Sequence, residues 1–243
     1  LFFTACGSSP KGYSVVDGVI VFDAPARVEG QHSVLRLTTD PIPVVRVGFI
    51  GLGMRGPGAV ERFTYLDGVE IKALCDLYPD RVEKSQEILA GRNLPAAAAY
   101  SGEEGWKELC RRDDIDLVYI CTPWQLHVPM AVYAMEHGKH VAVEVPAAMS
   151  LEECWQLVDT AEKTQRHCMM LENCVYDFFE LTTLNMAQHG LFGEIIHTEG
   201  SYIHDLDPFW EHYQGNWRLD FNQSHRGDVY ATHGLGPACQ LLD

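Results

Sequence analysis

Gly51, Gly53 and Gly56 are spaced G-x-G-x-x-G, follow the apolar run 44–50, and lead into Pro57-Gly58-Ala59-Val60, which reads as a helix opening. Strand, glycine turn, helix is the order a dinucleotide site needs. Gly51 lets the chain turn tightly off the strand, and Gly53 removes a Cβ where backbone must approach a pyrophosphate. Gly56 lets the helix pack close to the sheet, and the helix's free N–H groups and positive dipole end face the phosphates. A bare glycine motif is a weak signal; the apolar run before it and the Pro-started helix after it supply the required context. About 20 residues further on, where an acidic ribose ligand is expected, the run 69–75 ends in Asp76. A carboxylate there accepts hydrogen bonds from ribose hydroxyls and repels a 2′-phosphate, which favours NAD over NADP. The competing reading is an Asp that caps the turn before Pro79.

These groups need a scaffold that delivers strand ends to one edge. From Val44 the chain alternates strand and helix: helices over 80–90, around Trp106 to Leu109, and through 131–135 to a stop at Gly138. Ser150-Leu151-Glu152-Glu153 is a capping box for a helix over 154–163. The nearly continuous apolar run 115–121 is of the buried parallel type and ends in Thr122-Pro123-Trp124-Gln125-Leu126-His127. Strand 140–143 ends in Glu144-Val145-Pro146, and strand 168–171 in Glu172-Asn173. In an open parallel sheet those carboxyl ends line the ligand crevice. The fold expected is α/β, a doubly wound Rossmann domain over 44–170 followed by the start of an α+β substrate domain over 171–243. That second part should hold a helix (177–189), an alternating strand (195–204) and an aromatic stretch from Phe209 and Trp210 through Tyr213, Trp217, Arg218 and Phe221. One strand and a helix start cannot bury a sheet face alone, so a C-terminal continuation is expected.

Residues 1–9 resemble the tail of a bacterial signal peptide, with Cys6 before Gly-Ser-Ser as a lipidation site, and 10–43 form an extension with one or two small strands. Export follows from either a lipoprotein or an ordinary secretory signal. A formal charge of −16 argues against nucleic acid and an anionic membrane surface. The eight cysteines show no C-x-x-C, and Cys75, Cys121, Cys154 and Cys168 read as small buried residues within elements. His197, His204 and His212 lack metal-site spacing, so no metal is expected.

The motifs V-G-F-I-G-L-G-M-R-G, C-T-P-W-Q-L-H, V-E-V-P-A-A, M-L-E-N and Y-A-T-H-G-L-G-P, in this order, resemble the glucose–fructose oxidoreductase/inositol dehydrogenase (Gfo/Idh/MocA) superfamily. Within it they are similar to the NAD-dependent glycosidases of glycoside hydrolase family 109. Most of the superfamily has Glu-Lys-Pro where this chain has Glu144-Val145-Pro146, and an Asp four residues before the catalytic-region His where this chain has Val229, with Asp228 beside it. Both departures count against an ordinary sugar dehydrogenase. The resemblance implies hydrolysis of a terminal α-linked N-acetylgalactosaminide: oxidation at C3, loss of the C2 proton and the C1 aglycone, addition of water, and reduction at C3. NAD is regenerated each turnover, an exception to the two-carboxylate rule for glycosidases.

By the same resemblance, Met54 and Arg55 meet the pyrophosphate and Asp76 the adenosine ribose. Trp124, Gln125, Leu126, His127, Glu144, Val145 and Asn173 form the nicotinamide end, and Tyr202, Arg218, Tyr230, Ala231, Thr232 and His233 surround the sugar. Arg218 can donate several fixed hydrogen bonds to an acetamido oxygen, Tyr202 and Tyr230 offer a ring face and a hydroxyl, and His233 titrates near neutral pH as a base must. Tyr176 is the second acid–base candidate. Each has a plainer structural role when taken alone: Tyr202 as a strand aromatic, Trp124 as core, Arg218 paired with Asp220 or Asp228, His233 beside a helix cap. Their joint order favours the site. The alternatives are an NAD-dependent sugar or polyol dehydrogenase and a sugar-binding lipoprotein. The partner expected is a glycan, with membrane contact only through a lipid on Cys6 and homo-oligomers left open.

Overall fold

The computed structural model describes residues 13–22, 26–205, 207–209, 216–225 and 227–242. The lipidation expected at Cys6, and Trp210 and Tyr213 of the aromatic stretch, lie outside the described residues. A hairpin comes first: β1 (Tyr13–Val16) pairs antiparallel with β2 (Val19–Phe22) across Asp17-Gly18, both at positive φ. That backbone matches the twist of a two-residue hairpin turn.

The main sheet has six strands, all parallel: β3 (Val45–Ile50), β4 (Val69–Asp76), β5 (Ala98–Ser101), β6 (Leu117–Ile120), β7 (His140–Val143) and β8 (Cys168–Met170). Their spatial order is β5-β4-β3-β6-β7-β8, a doubly wound arrangement whose strand order reverses beside β3. Successive side chains of a strand point to opposite faces, and here both faces are covered. Val47, Phe49, Leu74 and Tyr119 pack under α1 (Gly56–Phe63) and α2 (Pro79–Gly91). Ile50, Val118, Ile120, Val141 and Val143 pack under α3 (Gly105–Cys110), α4 (His127–Glu136) and α5 (Leu151–Thr164). Burial on both faces is why the strand runs carry few polar residues. At the start of α5 the Ser150 hydroxyl accepts from the Glu153 N–H at 3.2 Å, and Glu153 Oε2 accepts from the Met149 N–H at 2.6 Å. The capping box therefore closes one residue earlier than its usual form.

The second part is helical and irregular: a 3₁₀ turn (Cys174–Tyr176), α6 (Phe178–Gln188), a short turn (Asp207–Phe209), α7 (Trp217–Ser224) and α8 (Ala231–Leu242). The alternating stretch 195–204 forms no strand. Alternation supplies an apolar face, but a strand also needs a neighbour to take its backbone hydrogen bonds, and no strand runs beside it among the described residues. It is held instead by close packing: a Cβ on Gly200 would sit 2.2 Å from the Gly234 carbonyl oxygen, so the two glycines let this segment touch α8 backbone to backbone. Cys75 and Cys110 are buried and their thiols are pushed up to about 12 by desolvation. Cys154, expected inside, is exposed in the first turn of α5, ahead of the buried positions Leu157 and Ala161, and all seven described cysteines are free.

Residues 26–37 form a strap across α5. Arg27 donates from Nε and Nη2 to both oxygens of Glu162 at 2.7 Å, and Gln31 Nε2 donates to Asp159 at 2.7 Å and Glu162 at 2.9 Å. The Arg27 hydrogen bond, with Gln31 and the Arg27 charge behind it, holds the Glu162 carboxyl below its ordinary value against the cost of burial. A carboxyl depressed in the folded state adds stability above its unfolded value, about 4.3, and loses it as pH falls through the folded one. Arg27→Ala should therefore lower amide-exchange protection over residues 28–34 at neutral pH, and the difference from the parent should shrink as Glu162 protonates. Equal protection at neutral pH would mean the strap is held by something else.

Candidate active site

The glycine loop is built by close contacts. A Cβ on Gly51, at φ +93°, would lie 2.7 Å from the Cys121 carbonyl group, and one on Gly56 would lie 2.1 Å from the Gly51 carbonyl oxygen. Only glycine fits at either position. The result sets the N-terminus of α1 against the carboxyl edge of β3 and β6, with Arg55 as its N-cap residue and Pro57 in its first turn.

Two cavities open side by side along that edge, of about 520 and 540 Å³, and Met54, Arg55, Cys121, Thr122 and Arg218 line both. Gly51, Gly53, Asp76, Tyr78, Arg81 and Leu126 belong to the first. Asp76 is 6% exposed; its Oδ2 accepts from the Leu52 N–H at 2.7 Å, and its Oδ1 from the Tyr78 N–H at 3.0 Å and Arg81 Nη1 at 3.4 Å. The carboxylate thus pins the glycine loop and also faces the cavity. With roughly four acceptor positions on two oxygens, it retains room for a ribose hydroxyl. A bare loop, a helix N-terminus and a carboxylate facing the cavity at the neighbouring strand end fit a dinucleotide.

The second cavity lies at the ends of β7 and β8. Glu144 Oε1 accepts from the Tyr119 hydroxyl at 2.8 Å and from Arg55 Nε at 3.3 Å, so an arginine of the glycine loop reaches across to the next strand but one. Burial pushes the Tyr119 phenol up, and the negative charge of Glu144 adds to it, keeping it a neutral donor. Val145 and Asn173 also line this cavity. His127 is 1% exposed, with Nδ1 2.7 Å from the Pro146 carbonyl oxygen and Nε2 2.9 Å from that of Thr122. Burial holds the ring below its ordinary value. A neutral ring donates through one nitrogen only, so His127 is an orienting strut and not a proton carrier.

Trp124 joins the two parts of the chain. It is 2% exposed, and Trp217, Phe221 and Tyr230 meet it edge-on with ring centroids 4.7, 5.0 and 5.4 Å away. Arg218 follows: its guanidinium lies over Trp217 at 5.1 Å and Trp124 at 5.7 Å, and its Nη1 is 3.6 Å from Met54 Sδ. Among the described residues it makes no ion pair with Asp220, Asp228 or any other acid. Tyr230 stacks on His233 at 5.2 Å with planes 7° apart, and Tyr202 approaches His233 at 4.7 Å. His233 turns Nδ1 onto Glu172 Oε1 in a short contact, and the same oxygen accepts from the Cys174 N–H at 3.0 Å. Burial pushes the Glu172 carboxyl up, but the Thr232 hydroxyl, His233 and the Cys174 N–H outweigh it, leaving it below its usual value. Thr232 Oγ1 and Glu172 Oε2 are buried without a well-directed hydrogen bond, so the hydroxyl acts on the carboxylate by proximity.

Not every expected residue arrives. Tyr176 is 60% exposed on its 3₁₀ turn and lines neither cavity, because the turn directs Asn173 and Cys174 inward instead. Gln125 is exposed on the outer side of the turn after β6, and Ala231 is exposed at the start of α8. Thr232 lies beneath His233 and does not line the cavity, and Gly56 packs under the loop. Three residues carry contacts although the sequence reading gave them no site role: Tyr119, Glu172 and Cys174. Glu172 stands at a strand end, the same signal that singled out Asp76 and Glu144, but its partner lies 61 residues away. Ligand atoms of Glu172, Cys174 and His233 fall within 4.8 Å of one another, a set able to hold a metal ion although no histidine spacing suggests one.

The family profile described as oxidoreductase family, NAD-binding Rossmann fold, matches residues 45–172, and that described as glycosyl hydrolase 109, C-terminal domain, matches 176–243. Glycosyl hydrolase family 109 protein 1 of Bacteroides fragilis is 69% identical over 220 residues, covering 90% of this chain and 47% of that protein. The alpha-N-acetylgalactosaminidase of Bacteroides fragilis is 56% identical over 223 residues, covering 89% and 52%. The chain spans about half the length of the curated relatives it matches. Scyllo-inositol dehydrogenase from Lactobacillus casei with bound NAD(H) superposes with a TM-score of 0.56 at 18% identity, over 63% of this chain and 43% of that one, a likeness of fold.

The packing under the loop sets a direct expectation. Gly56→Ala must push the Gly51 carbonyl aside, so affinity for a nicotinamide dinucleotide should fall at least about tenfold, or about 1.4 kcal/mol, with a lower unfolding midpoint. Unchanged dinucleotide titration would show that the loop does not bind it.

Proposed function

The chain belongs to the Gfo/Idh/MocA oxidoreductase family with an NAD-binding Rossmann fold and carries the glycosyl hydrolase 109 C-terminal domain, and on that premise we propose a nicotinamide-dependent glycosidase. Its substrate is a glycan ending in α-linked N-acetylgalactosamine, and its turnover leaves no net redox change. The observation that carries this reading is the state of the buried carboxylates at the second cavity. Glu144 is tied to Tyr119 and Arg55, and Glu172 to His233 and the Cys174 N–H. Neither stands free to flank a glycosidic bond as the acid–base pair of an ordinary glycosidase would. Asp177 and His204 also line the cavity, but the acid–base group there that a buried carboxylate orients is the His233 imidazole.

The glycine loop, Met54 and Arg55 would hold the pyrophosphate, Asp76 the adenosine ribose, and Glu144, Val145 and Asn173 the nicotinamide end. The bound nicotinamide would supply reversible oxidation at the sugar C3 hydroxyl. A C3 ketone acidifies the C2 proton, so loss of the C1 aglycone becomes an elimination; water then adds and C3 returns to the alcohol. His233 takes the hydroxyl or C2 proton, loses it to solvent while the aglycone leaves and water enters, and protonates the substrate again in the return step. Arg218, stacked on Trp217, offers a fixed fork of donors to the acetamido oxygen, while Tyr202 and Tyr230 flank the ring and Trp124 closes the floor against water. Val145 in place of a lysine supports the glycosidase over a sugar or polyol dehydrogenase. Asp76 supports NAD as the nucleotide, and the composition of residues 1–9 supports export with Cys6 as a lipid-attachment site.

Two outcomes follow. With the full-length product and a chromogenic α-N-acetylgalactosaminide, aglycone release should depend on bound NAD without accumulating NADH, and His233→Ala should lower it by roughly 10²–10⁴-fold. NADH formed in step with a free sugar, without aglycone release, would leave a dehydrogenase instead. Asp76→Ala should weaken NAD binding and cut the preference for NAD over NADP at least about tenfold, since Arg81 then faces the ribose without its carboxylate partner. An unchanged preference would remove Asp76 from the nucleotide site.

A further inference from the structure

The carboxylate that would orient the base is missing from its expected place. Val229 stands four residues before His233, and Asp228 beside it spends Oδ1 on the Tyr230 N–H at 2.8 Å, holding the turn into α8. Another acid fills the role from a different element. Glu172, at the carboxyl end of β8, meets His233 Nδ1 with both side chains more than nine-tenths buried. Resting on the glycosidase reading, we propose that Glu172 is the positioning residue of this site: it holds the proton of neutral His233 on Nδ1, so that the lone pair of Nε2 faces the sugar.

The geometry around the pair supports a fixed tautomer. Glu172 Oε1 is held from behind by the Cys174 N–H, so the acceptor cannot swing away from the ring. The ring is clamped by Tyr230 on one face and approached by Tyr202 on another side. The Gly200–Gly234 contact fixes the backbone next to it. A neutral imidazole carries one N–H, and the hydrogen bond made by one nitrogen decides what the other can do. With Nδ1–H donating to the carboxylate, Nε2 is the acceptor. In the proton step the substrate O–H or C2–H bond breaks and an Nε2–H bond forms, with the electron pair left on the substrate. The imidazolium then sits against an anion already in place, and after exchange with solvent it gives a proton to the substrate in the reverse step. The titratable and charged groups against the ring or lining its cavity are Glu172 from the end of β8, Cys174 from the turn after it, Asp177 before α6, Tyr202 and His204 from the 195–204 segment, Arg218 from α7 and Tyr230 from the turn before α8.

The test reads the tautomer directly. In protein carrying ¹⁵N-labelled histidine, with the His233 signals assigned by their loss in His233→Asn, the parent should show Nδ1 protonated and Nε2 bare above the ring's titration. Glu172→Ala should lose that preference, since a ring facing water carries its proton mainly on Nε2. Glu172→Gln, which keeps volume and an acceptor oxygen, should keep the tautomer, and Glu172→Asp should keep it in part. In the full-length enzyme the same series should lower kcat by about a hundredfold or more for Ala, with KM changed little. Nε2 protonated in the parent, or Nδ1 still protonated in Glu172→Ala that is folded by its amide spectrum, would overturn the assignment. A parent with the expected tautomer and no glycoside turnover would contradict the glycosidase reading and leave the dyad standing.

Discussion

Trp124 is the contact on which the site depends. The glycine loop, Asp76 and the strand ends come from one part of the chain; Tyr202, Arg218, Tyr230 and His233 come from the other. What brings them within reach is an indole buried at the end of β6 with three aromatic rings from α7 and the turn before α8 set edge-on around it. Each such aromatic contact is worth about 0.5–1.5 kcal/mol beyond the area it buries, and here three share one ring. The guanidinium of Arg218 extends the same stack toward Met54, so the cluster also bridges the two cavities. A hydrophobic joint of this kind fixes position without consuming the polar groups that the cavity needs for chemistry.

The Rossmann part was legible in the sequence because its signals are local. Strand runs are apolar on both faces, Gly51 and Gly56 mark contacts that only glycine tolerates, and a strand end followed by an acid marks Asp76 and Glu144. The second part was less so, and for a physical reason. The 195–204 stretch alternates as a strand does, yet strand formation depends on a partner that alternation cannot supply. Tyr176 keeps the expected spacing from Glu172, but spacing does not say which way a 3₁₀ turn points its residues, and this one points Tyr176 to solvent. Cys154 fits the helix pattern, but it sits in the first turn of α5, ahead of the positions that the core covers. The Glu172–His233 pair spans 61 residues, so it emerges only when β8 and α8 are side by side.

The electrostatics of the second cavity set out a division of labour. Glu144 is occupied in binding Arg55 to the far strand, which joins the glycine loop to the second cavity. His127, with a ring nitrogen on each of two carbonyls and its pKa lowered by burial, shapes the floor. Thiols at Cys75, Cys110 and Cys121 are pushed up by burial and are inert at neutral pH. Asp177 and His204 line the cavity too, but His233 is the group there held in place by a buried carboxylate, Glu172. A site with one oriented imidazole and no free pair of acids suits removal of a carbon-bound proton next to a carbonyl better than direct displacement at C1.

The decisive measurement is therefore isotopic. Full-length enzyme turning over an α-N-acetylgalactosaminide in deuterated water should release N-acetylgalactosamine carrying deuterium at C2, because the proton taken there exchanges with solvent before it is returned. Released sugar with its C2 hydrogen intact after many turnovers would contradict the elimination route and the role given to His233.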